Sequence, residues 1–443
     1  MGSKIIVAGA GHGGIIAAYH LAQNGYDVTV FEMKSSLDEL GYDWEDAFDI
    51  EAFEAAEIPV YPDGIKDCTD IYFHGPKEDE VIVQNRHGRQ NVRMFRKDLY
   101  RHIVTLAESA GVKFQYGIKV LSPLMLGNRV AGVKTDKGEF YCDLVIDSAG
   151  VNSPMRENLP ASLGIKNHMD YPEVLTAYRA YYNKIAECEE SYHVYFLDEG
   201  GRGLNWGITQ GDCVDVLLGR LSDFYDGEID EYVGKLRELQ PQLGDKVIRG
   251  AQVCKIPVRQ LLGVMVADGY AAIGDCACMT VPLLGSGIYY SFCAGKMLAD
   301  TILEDENCFF SAATLYPYQK KFFSEFASST ATITILKRML TSLSFDEVEF
   351  FMSGAVISSD DVLFANNEPN IKSFIDKYIP SELVRKIKNI KGRPDFVSKM
   401  KDVVKRLSIY KAISVTMPNE YNYDDIIKWS NRYEQFFEKI YSD

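Results

Sequence analysis

No apolar run in this sequence is long enough to cross a bilayer, because every stretch approaching 18 residues is interrupted by a charge or by glycines. Cations are in deficit as well. Lys and Arg number 47 against 63 Asp and Glu, giving a net charge of −16. That balance excludes a general nucleic-acid binder, which needs clustered Lys and Arg to neutralise phosphates. The nine cysteines are an odd number without disulfide-type spacing. A secretory leader is lacking too, since the N-terminus runs straight into an expected strand. A reduced, cytoplasmic protein is therefore expected. No spacing of His, Cys, Asp or Glu suggests a metal site.

What is present is an ordinary globular composition over 443 residues, 47% hydrophobic and 25% charged. That length suggests two or three domains. Two glycine-rich signatures stand far apart. The first is Gly9-Ala10-Gly11-His12-Gly13-Gly14, directly after the apolar run Ile5-Ile6-Val7-Ala8. Lys4 to Ala8 reads as a buried parallel strand and Gly14 to Asn24 as a helix. A second strand, Val28 to Phe31, ends at Glu32. Gly9 permits the tight turn, Gly11 lets a diphosphate approach the backbone, and Gly14 lets helix and strand pack closely. The helix N-terminus offers free N–H groups to phosphate, and Glu32 stands where a carboxylate accepts a ribose hydroxyl. An acid there suits FAD or NAD better than NADP.

The second signature is Gly274-Asp275-Cys276-Ala277-Cys278, followed by Pro282, Gly285-Ser286-Gly287 and Ile288. Tyr270 to Asp275 reads as a short strand ending in an acid, and Ile288 to Leu303 as a helix launched by the glycine turn. Asp275 can bond a ribityl or ribose hydroxyl, while the helix end stabilises the anionic reduced flavin. Here the sequence resembles the geranylgeranyl reductase family, within the larger group built like the aromatic hydroxylases. The match runs through Gly274, Asp275, Ala277, Pro282, Gly285, Gly287 and Ile288. Arg96 resembles the arginine opening a helix that contacts FAD. Asp143 to Ser153 resembles the family's third flavin motif, and Gly203 to Ile208, with Trp206, the aromatic strand over flavin and substrate. The likeness covers about residues 1–330. Ala149, Leu204 and Thr209 depart from it, and no cysteine lies between Glu32 and Lys66 where many archaeal relatives carry one.

The likeness implies an α/β fold. A discontinuous Rossmann-like FAD-binding domain (1–60, 95–160, 260–330) would join a mixed or antiparallel-sheet substrate domain (61–94, 161–259) and a helical C-terminal region (331–443). The strands expected at Val174–Tyr182 and Ser191–Phe196, with the Trp206 strand, would floor an apolar pocket. The implied reaction is reduction of carbon–carbon double bonds in an apolar or prenyl-like substrate by hydride transfer from the flavin. Two other readings stay open: a flavin-dependent monooxygenase or halogenase, and a non-catalytic flavin-bound sensor.

No residue stands out as the proton donor. Tyr42 and Asp43, in an acidic segment without Lys or Arg between Lys34 and Lys66, are the candidates; the alternative is a solvated amphipathic helix burying Phe48, Phe53 and Ala56. Cys276 and Cys278 read as small-residue substitutions rather than a redox dithiol. There is no second glycine triplet for a nicotinamide nucleotide. The electron donor is thus expected to be a visiting NAD(P)H or an acidic electron-carrier protein. Residues 385–407 are strongly basic, divided by Pro394 and striped with Phe396, Val397, Met400, Val403, Val404 and Leu407. They could dock such a carrier or contact anionic lipid at the membrane periphery, with Lys399, Lys401, Lys405 and Arg406 as the contacting charges.

Overall fold

The computed structural model describes residues 3–442 except 68, 78–80, 85–90, 197–202, 284, 357, 358, 360–389 and 391. Its first sheet is built around Lys4–Ala8, whose apolar run is buried on both faces. The order is Val266–Ala267, Tyr270–Ala272, Leu144–Asp147, Lys4–Ala8, Asp27–Glu32, Lys113–Tyr116. All neighbours are parallel except Val266–Ala267, which runs antiparallel to Tyr270–Ala272. Buried on both faces by helices, such a sheet favours continuous apolar strands over alternating ones.

Two helices, His12–Gln23 and Ile288–Glu304, cross this sheet in contact. Glycine sets their spacing: a Cβ at Gly295 would stand 2.7 Å from the Gly13 carbonyl oxygen. The helices that open the two glycine signatures are thereby locked together backbone to backbone.

A seven-stranded sheet forms the second layer. Its order is Leu243–Pro257, Val174–Lys184, Cys213–Arg220, Gly203–Gln210, Ser191–Tyr195, Ile71–His74, Val81–Gln84. All pairs are antiparallel except Ser191–Tyr195 with Ile71–His74. The two-residue period of Val174–Lys184 divides its side chains between faces. Tyr178, Ala180 and Tyr182 pack with Tyr232, Val233 and Leu236 of the helix Glu228–Leu239. Leu175, Ala177 and Tyr181 join Trp44, Cys254 and Val258 on the other face, with Tyr42, Leu204 and Trp206 around them.

The acidic segment departs from the helix expected for it. Glu45–Asp49 is a strand paired with Asn91–Phe95, and helix is confined to a 3-10 turn at Leu37–Glu39 and the short α-helix Glu51–Ala55. Phe48, Phe53 and Ala56 are buried, so the apolar side was legible although the element type was not.

The C-terminal part is helical: Ala312–Phe322, Ser328–Thr341, Phe345–Phe350, Pro394–Ser414 and Tyr423–Ser442. It is riveted to the rest through Arg259, fully buried, with Nη1 3.1 Å from Glu173 and Nη2 2.5 Å from Glu434. The Tyr433 hydroxyl also donates to the Leu261 carbonyl at 3.1 Å. Pro394 marks a division of the basic stretch by opening a helix in its first turn, where proline has no N–H to lose. Phe396 and Val403 are buried as expected, but Val404 is 49% exposed, on the outer face. Among the described residues no helix is long and apolar enough to cross a membrane.

Candidate active site

The cradle begins where Lys4–Ala8 ends. Gly9 has φ +85°, and a Cβ there would lie 2.7 Å from the Ala149 Cα. Gly11 and Gly14 both face Ser148, the residue after the neighbouring strand Leu144–Asp147. Added Cβ atoms would stand 2.3 Å and 2.7 Å from its Oγ. The Gly14 N–H donates to that Oγ at 3.2 Å. Glycine is thus demanded here by the crossing of helix and strand as well as by any approaching phosphate. Glu32, at its strand end, accepts the Ala10 N–H at 2.9 Å and the Lys34 N–H at 2.8 Å. Its carboxylate therefore braces the loop at the position expected for a ribose contact.

The second half closes on the first. Asp275 accepts no side-chain hydrogen bond from the described residues, and its Oδ1 would be 3.4 Å from a Cβ on Gly287. Burial pushes its carboxyl up to about 6, with Arg96 opposing the shift. Gly285 has φ +68°, Pro282 precedes it, and Gly287 caps the helix that starts at Ile288. An inward carboxylate without a partner, beside backbone stripped of side chains, fits a polyhydroxylated dinucleotide. A flavin dinucleotide would thus be held by the Gly9–Gly14 turn, Glu32, Asp275 and the Gly285–Gly287 turn.

Arg96 opens the helix Arg96–Ser109. It is committed to Asp46 by two hydrogen bonds, Nε to Oδ2 at 2.6 Å and Nη2 to Oδ1 at 2.7 Å. Desolvation opposes both charges, but each holds the other ionised: Asp46 falls below the usual carboxylate range and Arg96 rises. The sequence reading missed Asp46 as the partner, because it looked like one more acid in a run of acids. Likewise Arg179 pairs with Asp215, Nε to Oδ1 at 2.9 Å. The Trp44 ring contacts both guanidiniums, with its centroid 5.2 Å from Arg96 and 5.5 Å from Arg179. Arg179 also sits 5.6 Å from the Trp206 ring. Trp206 and Trp44 belong to one aromatic floor.

The two proton-donor candidates separate. Tyr42 stacks on Trp44 with ring centroids 4.3 Å apart and faces this floor. Burial pushes its phenol up to about 12, helped by Cys254 and Asp275 and opposed by Arg96. Asp43 points to the rim, 41% exposed and 3.8 Å from Lys97. Cys276 and Cys278 are both buried and unpaired, and burial drives both thiols upward, Cys278 to about 12. Cys276 donates to Asp147 at 3.1 Å, beside Ser153 and Tyr270 on the same carboxylate. Nothing there favours a thiolate.

Beyond the floor lies an apolar cavity of about 110 Å³. Leu175 and Leu204 line it from the sheet, Val258 from just past a strand end, Pro282 and Leu283 from the second glycine loop, and Leu340, Leu343, Val348, Phe351 and Met352 from the C-terminal part. Among the described residues the only charged side chain on its wall is Lys337. Sequence reasoning did not single it out, although Thr330, Thr334 and Lys337 at helical spacing mark a polar stripe that turns out to be buried.

Comparison with known proteins now bears on the geometry. Residues 7–46 match the model of an NAD(P)-binding Rossmann-like domain. The digeranylgeranylglycerophospholipid reductase of Sulfolobus acidocaldarius is 24% identical, over 94% of this chain and 93% of that one. A geranylgeranyl bacteriochlorophyll reductase-like protein of Thermoplasma acidophilum superposes with TM-score 0.72 at 19% identity, covering 88% of this chain and 98% of its own. The chain thus resembles the geranylgeranyl reductases. The wider fold group includes a flavin-dependent brominase, TM-score 0.57 at 14% identity over 88% of this chain and 94% of that one. The Rossmann-like fold, the helical C-terminal region and the oxidoreductase class expected from the resemblance to geranylgeranyl reductases are borne out.

Proposed function

We propose that this geranylgeranyl reductase-like chain binds FAD and reduces carbon–carbon double bonds in an apolar, prenyl-like substrate. The observation that supports it most is the cavity, whose apolar wall runs from the flavin loop at Pro282 and Leu283 to Leu204 and the C-terminal helices. Burial in such a wall selects hydrocarbon over polar substrates, since a polar group entering it loses water without replacement. When bound, the flavin supplies the hydride. The chain's own residues then have three tasks.

Gly9, Gly11, Gly14 and Glu32 hold the dinucleotide at the first turn; Asp275, Pro282, Gly285, Gly287 and Ile288 hold it at the second. Arg96 and Arg179, their charges balanced by Asp46 and Asp215, hold the aromatic floor in place through their contacts with Trp44 and Trp206. Trp206 and Leu204 shape the substrate side. Tyr42 is poorly matched to donate a proton, because a phenol near 12 lies far from neutral pH.

Electrons would come from NAD(P)H or an acidic carrier protein. The docking surface for a carrier, or for anionic lipid, is narrower than the charge count suggests. Lys399 is 2.6 Å from Glu347, and Arg406 pairs with Asp402. Lys401, Lys405 and Lys411 share the exposed outer face of the helix Pro394–Ser414 with Val404. Arg385 to Asn389 and Lys391 fall outside the described residues. A cytoplasmic protein touching the membrane periphery through this face fits the reading.

The test is anaerobic single turnover. Enzyme reduced with dithionite and mixed with a polyprenyl lipid should reoxidise its flavin and yield a product two hydrogens heavier. Reoxidation only with oxygen, with substrate-dependent oxygen consumption, would instead assign a monooxygenase or halogenase. Reduced flavin that no unsaturated acceptor reoxidises would leave a sensor.

A further inference from the structure

The reduction needs a proton as well as a hydride, and the geometry points to the Lys337 ammonium as its donor, an assignment that rests on the function proposed above. Lys337 lies on the helix Ser328–Thr341 and is 4% exposed. It lines the same cavity as Pro282, Leu283 and Leu204. Its Nζ donates to two backbone carbonyls, Pro172 at 3.2 Å and Val258. Among the described residues no carboxylate lies within ion-pair distance of it.

The charges around it explain why. Glu173, the nearest acid in effect, is shared between Lys166 at 3.3 Å and Arg259 at 3.1 Å. Arg259 is further held by Glu434 of the C-terminal helix. The Tyr441 ring centroid stands 5.6 Å from Nζ. Burial and the Arg259 charge therefore outweigh Glu173, and the amine is brought down to about 7. An unpaired amine at that value is half protonated at neutral pH, where a general acid works best.

The step balances. One alkene carbon takes the hydride, with its two electrons, from the reduced, anionic flavin, which is left oxidised. The other carbon takes a proton as the Lys337 N–H bond breaks, leaving a neutral amine that solvent reprotonates once product leaves.

The experiment is single-turnover flavin reoxidation by a polyprenyl lipid between pH 5.5 and 9, for wild type, K337M and K337R. Wild-type rates should fall as pH rises through about 7. K337M should lose about 100-fold or more and its pH dependence, with FAD content retained. K337R should keep lipid binding but remain slow at every pH. In parallel, competitive acetylation of the wild-type protein across the same pH range should place the Lys337 titration near 7, which needs no turnover. That measurement can overturn the assignment even if K337M fails to fold. A K337M enzyme with the wild-type rate and profile, or a Lys337 titrating near 10, overturns the assignment. Wild-type enzyme that reduces no lipid overturns the function instead.

Discussion

The two halves of the site are built on opposite physical terms. The cradle is made of backbone: Gly11, Gly14 and Gly287 clear room, and each would place a Cβ 3.0 Å or less from a neighbour. The cavity is made of side chains drawn from the sheet, a loop and the C-terminal helices. Backbone crossings tolerate almost no substitution, whereas a cavity wall can exchange one apolar group for another at modest cost. The cradle should therefore carry the cofactor rigidly and the cavity should carry specificity.

The harshest way to break this contrast is Gly11→Ala. Its Cβ would stand 2.6 Å from the Ser148 carbonyl oxygen, which is backbone and cannot swing aside. Stability should drop by about 3 kcal/mol and FAD should be lost on gel filtration, the first read by melting and the second by absorbance. A stable, yellow Gly11→Ala protein would show that the crossing relaxes. Next in size is Arg96→Met, which leaves the Asp46 carboxylate buried without its partner and should cost about 3 kcal/mol of stability. Adding Asp46→Asn should recover most of that loss. If it does not, the loss comes from the packing of Arg96 over Tyr42 and Trp44 and not from the stranded carboxylate.

How much of this could be read from the sequence follows the same division. The cradle was legible because most of its demands are local: a turn at Gly9, a helix start after Gly11 and a strand end at Glu32; Asp275, expected to end a strand, falls instead in a 3-10 turn, Gly274–Ala277, beyond the strand Tyr270–Ala272. Periodicity also found the strand Val174–Lys184 and the burial of Phe48 and Phe53. The acidic segment was misread because a strand exposed on one side and rich in Asp and Glu has no propensity signature, and its pairing with Asn91–Phe95 is a long-range fact. The ion pairs Arg96–Asp46 and Arg179–Asp215 join residues 50 and 36 positions apart. Charge patterning in a −16 chain could not choose among so many acids. Lys337 escaped because a lysine on a helix is usually solvated; only its spacing with Thr330 and Thr334 hinted at an inward face.

Asp275→Asn sharpens the contrast within the cradle. The folded-state carboxyl is raised from the ordinary 3.8 to about 6, so the folded chain binds more protons than the unfolded one between those values. Stability from this group accordingly falls as pH rises from 3.8 to about 6, and the penalty is complete above 6. The asparagine variant, neutral throughout, should melt higher than wild-type apoprotein at pH 7 and about equally at pH 3.5. It should nonetheless bind FAD about 10-fold more weakly, as expected on replacing a charged acceptor by a neutral one. An apoprotein that is not stabilised at pH 7 would mean that the Asp275 carboxylate is already satisfied without a ligand.

Leu204→Trp should have the smallest effect on the fold and tests the cavity side. Leu204 is half-buried, lines the cavity with Leu175 and Pro282, and opposes Gly219 on the neighbouring strand, which itself carries no side chain. A larger ring can therefore extend into about 110 Å³ of open volume rather than into packed atoms. Stability should change by less than about 1 kcal/mol, and FAD affinity should stay within about 2-fold. Reduction of a long prenyl chain should slow several-fold through a higher KM, while a short prenyl alcohol is reduced as before, because only the longer chain needs the space that the ring removes. Equal losses for both chain lengths would place substrate elsewhere. A fall in FAD affinity as large as that of Asp275→Asn would show that cradle and cavity are one mechanical unit, since Pro282 and Leu283 belong to both.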